Sequence, residues 1–189
     1  MSCTTDICSD KTGTLTQGKM VLRKAWISGH GTYSVSSTNE PFNPTKGNMR
    51  FTQLEPKDST PETEEKETAI EPEEEVKSHD TLVQFLNIGS LANTATVRRS
   101  ESEGEGEGEW HARGDPTEIA IQVFASRFGR NRLVTSGGSN QWKQIQEFPF
   151  DSDVKKMSVI FEDTHSGEQS LFSKGATERL IDDCPTIMN

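Results

Sequence analysis

Tyrosine occurs once in this chain, at Tyr33, and cysteine three times, at Cys3, Cys8 and Cys184. An odd cysteine count without Cys-x-x-Cys spacing supports neither a disulfide framework nor a thiolate zinc site. No run of about 20 apolar residues is present, so no segment reads as a membrane-spanning helix. Met1 is not followed by a basic stretch and an apolar core, so no secretory signal is expected. Sequons are absent as well, since the single Asn-x-Thr, at Asn43, has proline in the middle. These absences together point to a reducing, cytosolic setting. Apolar residues make up 30% of the 189 positions and aromatics 7%, which is thin for one compact domain of that length.

What the chain does hold is acid. Its formal charge is −10, concentrated in two places. Glu55–Lys77 carries ten acids against three bases, and Glu101–Glu109 carries five acids and no base. These two runs account for −12, leaving the remainder at +2 and no obstacle to an anionic ligand. No nucleic-acid partner is expected. Residues 52–78 offer almost nothing to bury and read as a disordered acidic insertion, with a docking segment for a basic partner as the alternative. A second insertion, at about 98–110, ends in alternating Glu-Gly, where glycine entropy and like-charge repulsion both oppose order.

Between these runs the patterning is regular. Lys19–Ile27 is β-leaning, a Gly29-His30-Gly31 turn follows, and Thr32–Val35 returns as a strand. Residues 36–51 read as irregular. Asp80 is placed as the cap of a helix whose apolar stripe runs through Leu82, Val83, Phe85, Leu86 and Leu91 to about Asn93. In Gly114-Asp115-Pro116-Thr117-Glu118, an N-cap aspartate, proline at the first helical position and glutamate at capping-box spacing announce a second helix. Ile119, Ala120, Val123 and Phe124 form its buried face. Arg127, Arg130 and Arg132 suit its negative end. Three strand-like runs follow, Trp142–Phe148, Lys156–Glu162 and Gln169–Lys174, then a short helix over Thr177–Asp182.

The chemistry centres on Cys8-Ser-Asp-Lys-Thr-Gly-Thr-Leu-Thr-Gln-Gly-Lys-Met20. An aspartate is a weak nucleophile, but it can form an acyl phosphate when the transferred group is held in line and its charge is neutralised. Gly13 allows backbone N–H groups close to phosphate oxygens, Lys11 adds a cation, and the hydroxyls of Thr12, Thr14 and Thr16 lie alongside. The apolar Ile7-Cys8 reads as the end of a buried strand, placing Asp10 where open α/β sheets bind ligands.

Asp-Lys-Thr-Gly-Thr-Leu-Thr at Asp10–Thr16 resembles the phosphorylation signature of P-type ATPases. Three later stretches fit that family in order. Gly114-Asp-Pro-Thr-Glu118 resembles the segment before its adenine-facing helix. Phe148–Ile160, containing Lys155-Lys-Met-Ser-Val, is similar to a segment of its nucleotide-binding domain, and so is Phe172-Ser-Lys-Gly-Ala-Thr-Glu178. The resemblance implies an α+β fold, with an antiparallel sheet flanked by helices. The first strand and loop of a haloacid-dehalogenase-like phosphorylation domain would precede it, at residues 1–18, with a partial nucleotide-binding domain over 19–189.

By the same resemblance Asp10, Lys11 and Thr12 are catalytic, and Asp10 with the Thr12 carbonyl holds Mg²⁺. Glu118, Phe150, Lys155, Lys174 and Gly175 bind ATP, with Phe150 stacking on adenine. The residues themselves leave alternatives open. Phe150 suits a core position equally, isolated lysines are usually solvated, and Glu118 has a rival task in the capping box. Two positions depart from the family: Ser152, where many calcium pumps carry arginine, and Thr177, where proline is common. The family's Thr-Gly-Asp and Gly-Asp-Gly-x-Asn-Asp segments and its membrane helices have no match, so the chain reads as a fragment. Its parent would be a membrane-embedded cation pump, with this segment cytosolic and the cation carried by the missing membrane domain. Cys3–Cys8, the residues after Thr16 and the long acidic insertion most resemble fungal sodium- or potassium-exporting members. The alternatives are a calcium-type pump segment or a nucleotide-binding regulatory module without turnover.

Overall fold

A computed structural model of the chain describes residues 18–53, 67–100, 108–137 and 141–186. The Asp10 motif and the strand expected before it lie outside these residues.

The first layer is an antiparallel four-stranded meander, β1 (Lys24–Ile27), β2 (Gly31–Val35), β3 (Met49–Gln53) and β4 (Glu67–Ala69), in sequence order. The β1–β2 hairpin appears as expected, with its first strand confined to Lys24–Ile27. Alternation does the sorting here: Ala25, Ile27, Tyr33, Val35 and Met49 all face inward and are buried, the period-2 consequence of the pleat.

Residues 67–78 correct the expectation of a disordered run reaching Ser78. They form β4 and then α1 (Pro72–Ser78). Proline stands at the start of α1, Glu73, Glu74 and Glu75 occupy its first turn and Lys77 its last, the arrangement the helix dipole favours. Ile70 and Val76 pack on the first core, Arg50 pairs with Glu67 at 3.0 Å, and the buried Tyr33 hydroxyl donates to Glu75 at 2.7 Å. Net charge per residue failed as a guide because the glutamates sit where a helix start accepts them. The second insertion is narrowed too: β5 (Thr96–Arg99) and β6 (Trp110–Arg113) pair antiparallel up to Arg99 and Trp110. Residues 54–66 and 101–107 lie outside the described residues.

Two helices join the layers. Helix α2 (Asp80–Leu91) begins one residue earlier than expected, with His79 at the N-cap and Asp80 already inside. Because α1 ends only at Ser78, His79 serves both helices; its N–H donates to the Glu75 carbonyl at 3.1 Å. Helix α3 (Pro116–Arg127) is capped as expected, the Asp115 side chain accepting from Thr117 and Glu118 N–H groups. A short α4 (Arg132–Ser136) follows.

The last layer is a three-stranded antiparallel sheet in the order β7 (Trp142–Asp151), β8 (Lys156–Asp163), β9 (Gln169–Gly175), matching the three expected strands. α5 (Thr177–Leu180) and a 3₁₀ turn at Ile181–Asp183 are the last described elements. Where one sheet was expected, three are present among the described residues. α2 bridges the first and last of them: Leu82 and Leu86 sit in the core with Tyr33, Val35 and Phe124, while Leu91 packs with Trp142, Val159, Phe161 and Phe172. Each such buried leucine contributes roughly 1.5–3 kcal/mol.

Candidate functional site

Glu118 stands in the first turn of α3 and Lys174 near the end of β9. Along β9 the side chains alternate, so Lys174 shares the inner face with buried Phe172 and reaches toward α3. The Lys174 ammonium donates to Glu118 Oε1. On the other carboxylate oxygen, Oε2, Glu118 accepts from the Thr94 N–H at 2.9 Å, the Thr94 hydroxyl at 2.7 Å and the Ala95 N–H at 3.2 Å. Asn93 fixes the loop beneath, donating to the Gly89 and Glu118 carbonyls and accepting from Ala95. Gly114, at φ 137°, has room for no side chain: a Cβ there would lie 2.7 Å from that of Ala95. The Glu118 side chain is only 17% exposed. Burial pushes its carboxyl up, but the bonds from Lys174 and Thr94 outweigh this and hold it below its ordinary value. Of the two tasks left open for Glu118, the capping box does not form: among the described residues its carboxylate accepts no bond from the Asp115 N–H, Asp115 alone caps α3, and Oε1 keeps room for a further donor beside Lys174.

Gly175 and Lys155 meet through the backbone. A Cβ on Gly175 would lie 2.4 Å from the Lys155 carbonyl oxygen, and that carbonyl accepts from the Ala176 N–H at 3.0 Å. Lys155 is left-handed at φ 54° in the β7–β8 turn, and its ammonium lies 3.5 Å from Glu178, both side chains being largely exposed. Phe150 is no core residue: it is 61% exposed, beside Phe148 at 51%. It lies in the irregularity of β7 between Phe148 and Asp151 and has no ring partner among the described residues. The structure thus joins Glu118 to Lys174 and Lys155 to Gly175, leaves Phe150 presented to solvent, and does not describe Asp10, Lys11 or Thr12.

Several contacts escaped the sequence reading, which placed three arginines only as suiting the negative end of α3. Arg132 donates to the Asn93 carbonyl and to Gln144 Oε1 at 2.6 Å, and faces Glu147 at 3.4 Å, so it fastens the loop under Glu118 to β7. Arg127 donates to the carbonyls of Pro44, Lys46 and Gly47 and Arg130 to Asn87, rather than to the end of their own helix. A groove of about 510 Å³ opens beside Thr94, lined also by Arg98, His111 and Arg113. The only advance sign of this loop was the polar break at Asn93-Thr94 after an apolar helix.

Among the described residues, three antiparallel sheets joined by two helices, with a glutamate–lysine pair between a helix start and the last strand, make up an α/β module of the kind expected for a nucleotide-binding segment. The model of the family described as P-type ATPase, cytoplasmic domain N, matches residues 81–189, and the chain belongs to that family. Among full-length relatives it is 39% identical over 184 residues to a sodium/potassium exporting P-type ATPase of Schizosaccharomyces pombe, covering 96% of this chain and 16% of that protein. It is 36% identical over 211 residues to sodium/potassium exporting P-type ATPase 1 of Saccharomyces cerevisiae, covering 95% and 19%. A calcium-transporting ATPase of Bacillus subtilis is 33% identical over 181 residues, covering 96% and 17%. The chain therefore spans less than one fifth of the length of these relatives. No helix among the described residues is long and apolar enough to cross a membrane.

Proposed function

We propose that this chain is the cytosolic ATP-binding and phosphoryl-accepting segment of a cation-exporting pump, with sodium or potassium as the transported ion. The observation that carries this reading is the half-buried Glu118–Lys174 pair, positioned by Thr94 and Asn93, within one module that also displays an exposed phenylalanine and a glycine without room for a side chain. Glu118 offers a carboxylate to an exocyclic amine, Lys174 and Lys155 offer cations to a polyphosphate, and Phe150 offers an unpaired ring to a base. The exporter assignment rests on the relatives named above, and the calcium-transporting relative is the alternative for the ion.

Asp10 is the acceptor in this reading. Its carboxylate oxygen forms a bond to the terminal phosphorus of ATP while the bond from that phosphorus to the bridging oxygen breaks, releasing ADP and leaving an acyl phosphate. Lys11 neutralises charge on the transferred group. Oxygen donors of the kind Asp10 and the Thr12 carbonyl provide suit Mg²⁺, whose chemistry there is charge neutralisation of the phosphates. Hydrolysis of the acyl phosphate would then drive transport through parts of the pump beyond this chain.

ATP titration of the chain by calorimetry tests the binding half. A stacked base is worth on the order of 1–3 kcal/mol, so Phe150→Ala should weaken ATP by about tenfold or more. Its exposure predicts little change in folding stability. Unaltered affinity would remove Phe150 from the site.

A further inference from the structure

The β1–β2 turn meets the junction of α1 and α2 through two histidines and a glutamate, none of them in contact with Glu118. His30 in the turn, Glu75 on α1 and His79 at the junction each bring one donor atom within 4.8 Å of the other two. Their placement is built rather than incidental. Glu75 and His79 stand four residues apart, one turn of helix, with His79 Nε2 at 3.7 Å from Glu75 Oε2. The His30 and His79 rings lie 4.6 Å apart, and Phe51 covers His30 from 4.9 Å. Beneath them Tyr33, fully buried, holds its hydroxyl 2.7 Å from both His30 Nε2 and Glu75 Oε2. Donation from Tyr33 to Glu75 leaves the phenolic oxygen to accept from His30, an outer hydrogen bond of the kind that orients metal-bound imidazoles and carboxylates.

We propose that His30, Glu75 and His79 form a binding site for a divalent transition ion, zinc being the best match. Two imidazoles and one carboxylate are the ligand set of open zinc centres, in which the fourth position is left to water. Imidazole nitrogen also selects against magnesium and calcium, which prefer oxygen donors. At zinc–ligand lengths of about 2.0–2.1 Å the donors must close in by roughly 1 Å or less. Partly exposed side chains such as His79 make that shift without moving the backbone. The ion would staple the hairpin to the end of the acidic run, whose negative charge favours a cation.

The test is titration of the full 189-residue chain with Zn²⁺, using a competing chromophoric chelator, and with Co²⁺ followed by its visible ligand-field bands. One equivalent of each ion should bind, the Co²⁺ spectrum showing the intensity of a four-coordinate nitrogen–oxygen site. His79→Ala, which removes a side chain 40% exposed and leaves the Tyr33 bonds intact, should weaken Zn²⁺ at least tenfold and abolish the Co²⁺ bands. Glu75→Gln should do the same, with circular dichroism reporting whether the fold survives. No binding by the parent chain overturns the proposal, and so does equal affinity in His79→Ala, which would place the ion elsewhere.

Discussion

At the scale of single residues, Glu118 is the side chain whose surroundings say most. It is nearly enclosed, yet both its oxygens are engaged by donors, and one donor is a cation. A carboxyl held below its unfolded value stabilises the fold above that unfolded value, ordinarily 4.5, and loses the contribution as pH falls through the lowered folded value. Glu118→Gln keeps the shape but loses the charge opposite Lys174, and should cost about 1–2 kcal/mol at neutral pH. Urea unfolding should show the gap between variant and parent closing as pH drops below the ordinary carboxylate range. A gap independent of pH would mean that the carboxylate does not draw its stability from Lys174. Much of this residue's setting was legible beforehand: its place at the start of α3 and the position of Lys174 both follow from the sequence. Its actual partners, Thr94 and Ala95, were not, because a loop across the fold is invisible to local periodicity.

Among the elements, those with strong local signals were the ones read correctly. Asp115-Pro116 announced α3, and three strand-like runs announced β7, β8 and β9, whose buried Met157, Val159, Phe161 and Phe172 close a core. What was missed were short elements that depend on tertiary partners. β4, three exposed residues long, exists because β3 offers it an edge. α1 exists because Ile70 and Val76 find the first core and Tyr33 finds Glu75. Helices of this length are not stable alone, so composition pointed the wrong way, although Pro-Glu-Glu-Glu at a helix start was there to be weighed. The cap of α3 can be tested directly. Asp115→Ala removes the acceptor for two N–H groups and should lower stability by about 1 kcal/mol in a denaturant titration. Since α3 also carries Glu118, ATP affinity should fall in the same variant. Gly175→Ala should disturb the end of β9 more than its size suggests, because the new methyl would lie 2.4 Å from the Lys155 carbonyl oxygen and 2.9 Å from the Lys156 Cα, both backbone atoms.

For the whole molecule, the reading that needs testing is that nucleotide binding and phosphoryl acceptance fall to different parts of one chain. α2 ties the two larger sheets through Leu86 on one side and Leu91 on the other, so the described residues share a layered core. Asp10 lies outside the described residues, and the chain covers 16–19% of the exporting relatives. If binding and phosphoryl acceptance reside in different parts, a change at Asp10 should separate them. Asparagine preserves the size of aspartate but its amide cannot become an acyl phosphate. In the intact pump, Asp10→Asn should therefore abolish the acid-stable, alkali-labile label acquired from γ-labelled ATP. It should leave ATP affinity undiminished, since Glu118, Phe150 and Lys174 are untouched and one negative charge near the terminal phosphate is gone. Persistent labelling in that variant would move the acceptor to another residue, and loss of binding would mean that Asp10 helps build the nucleotide pocket.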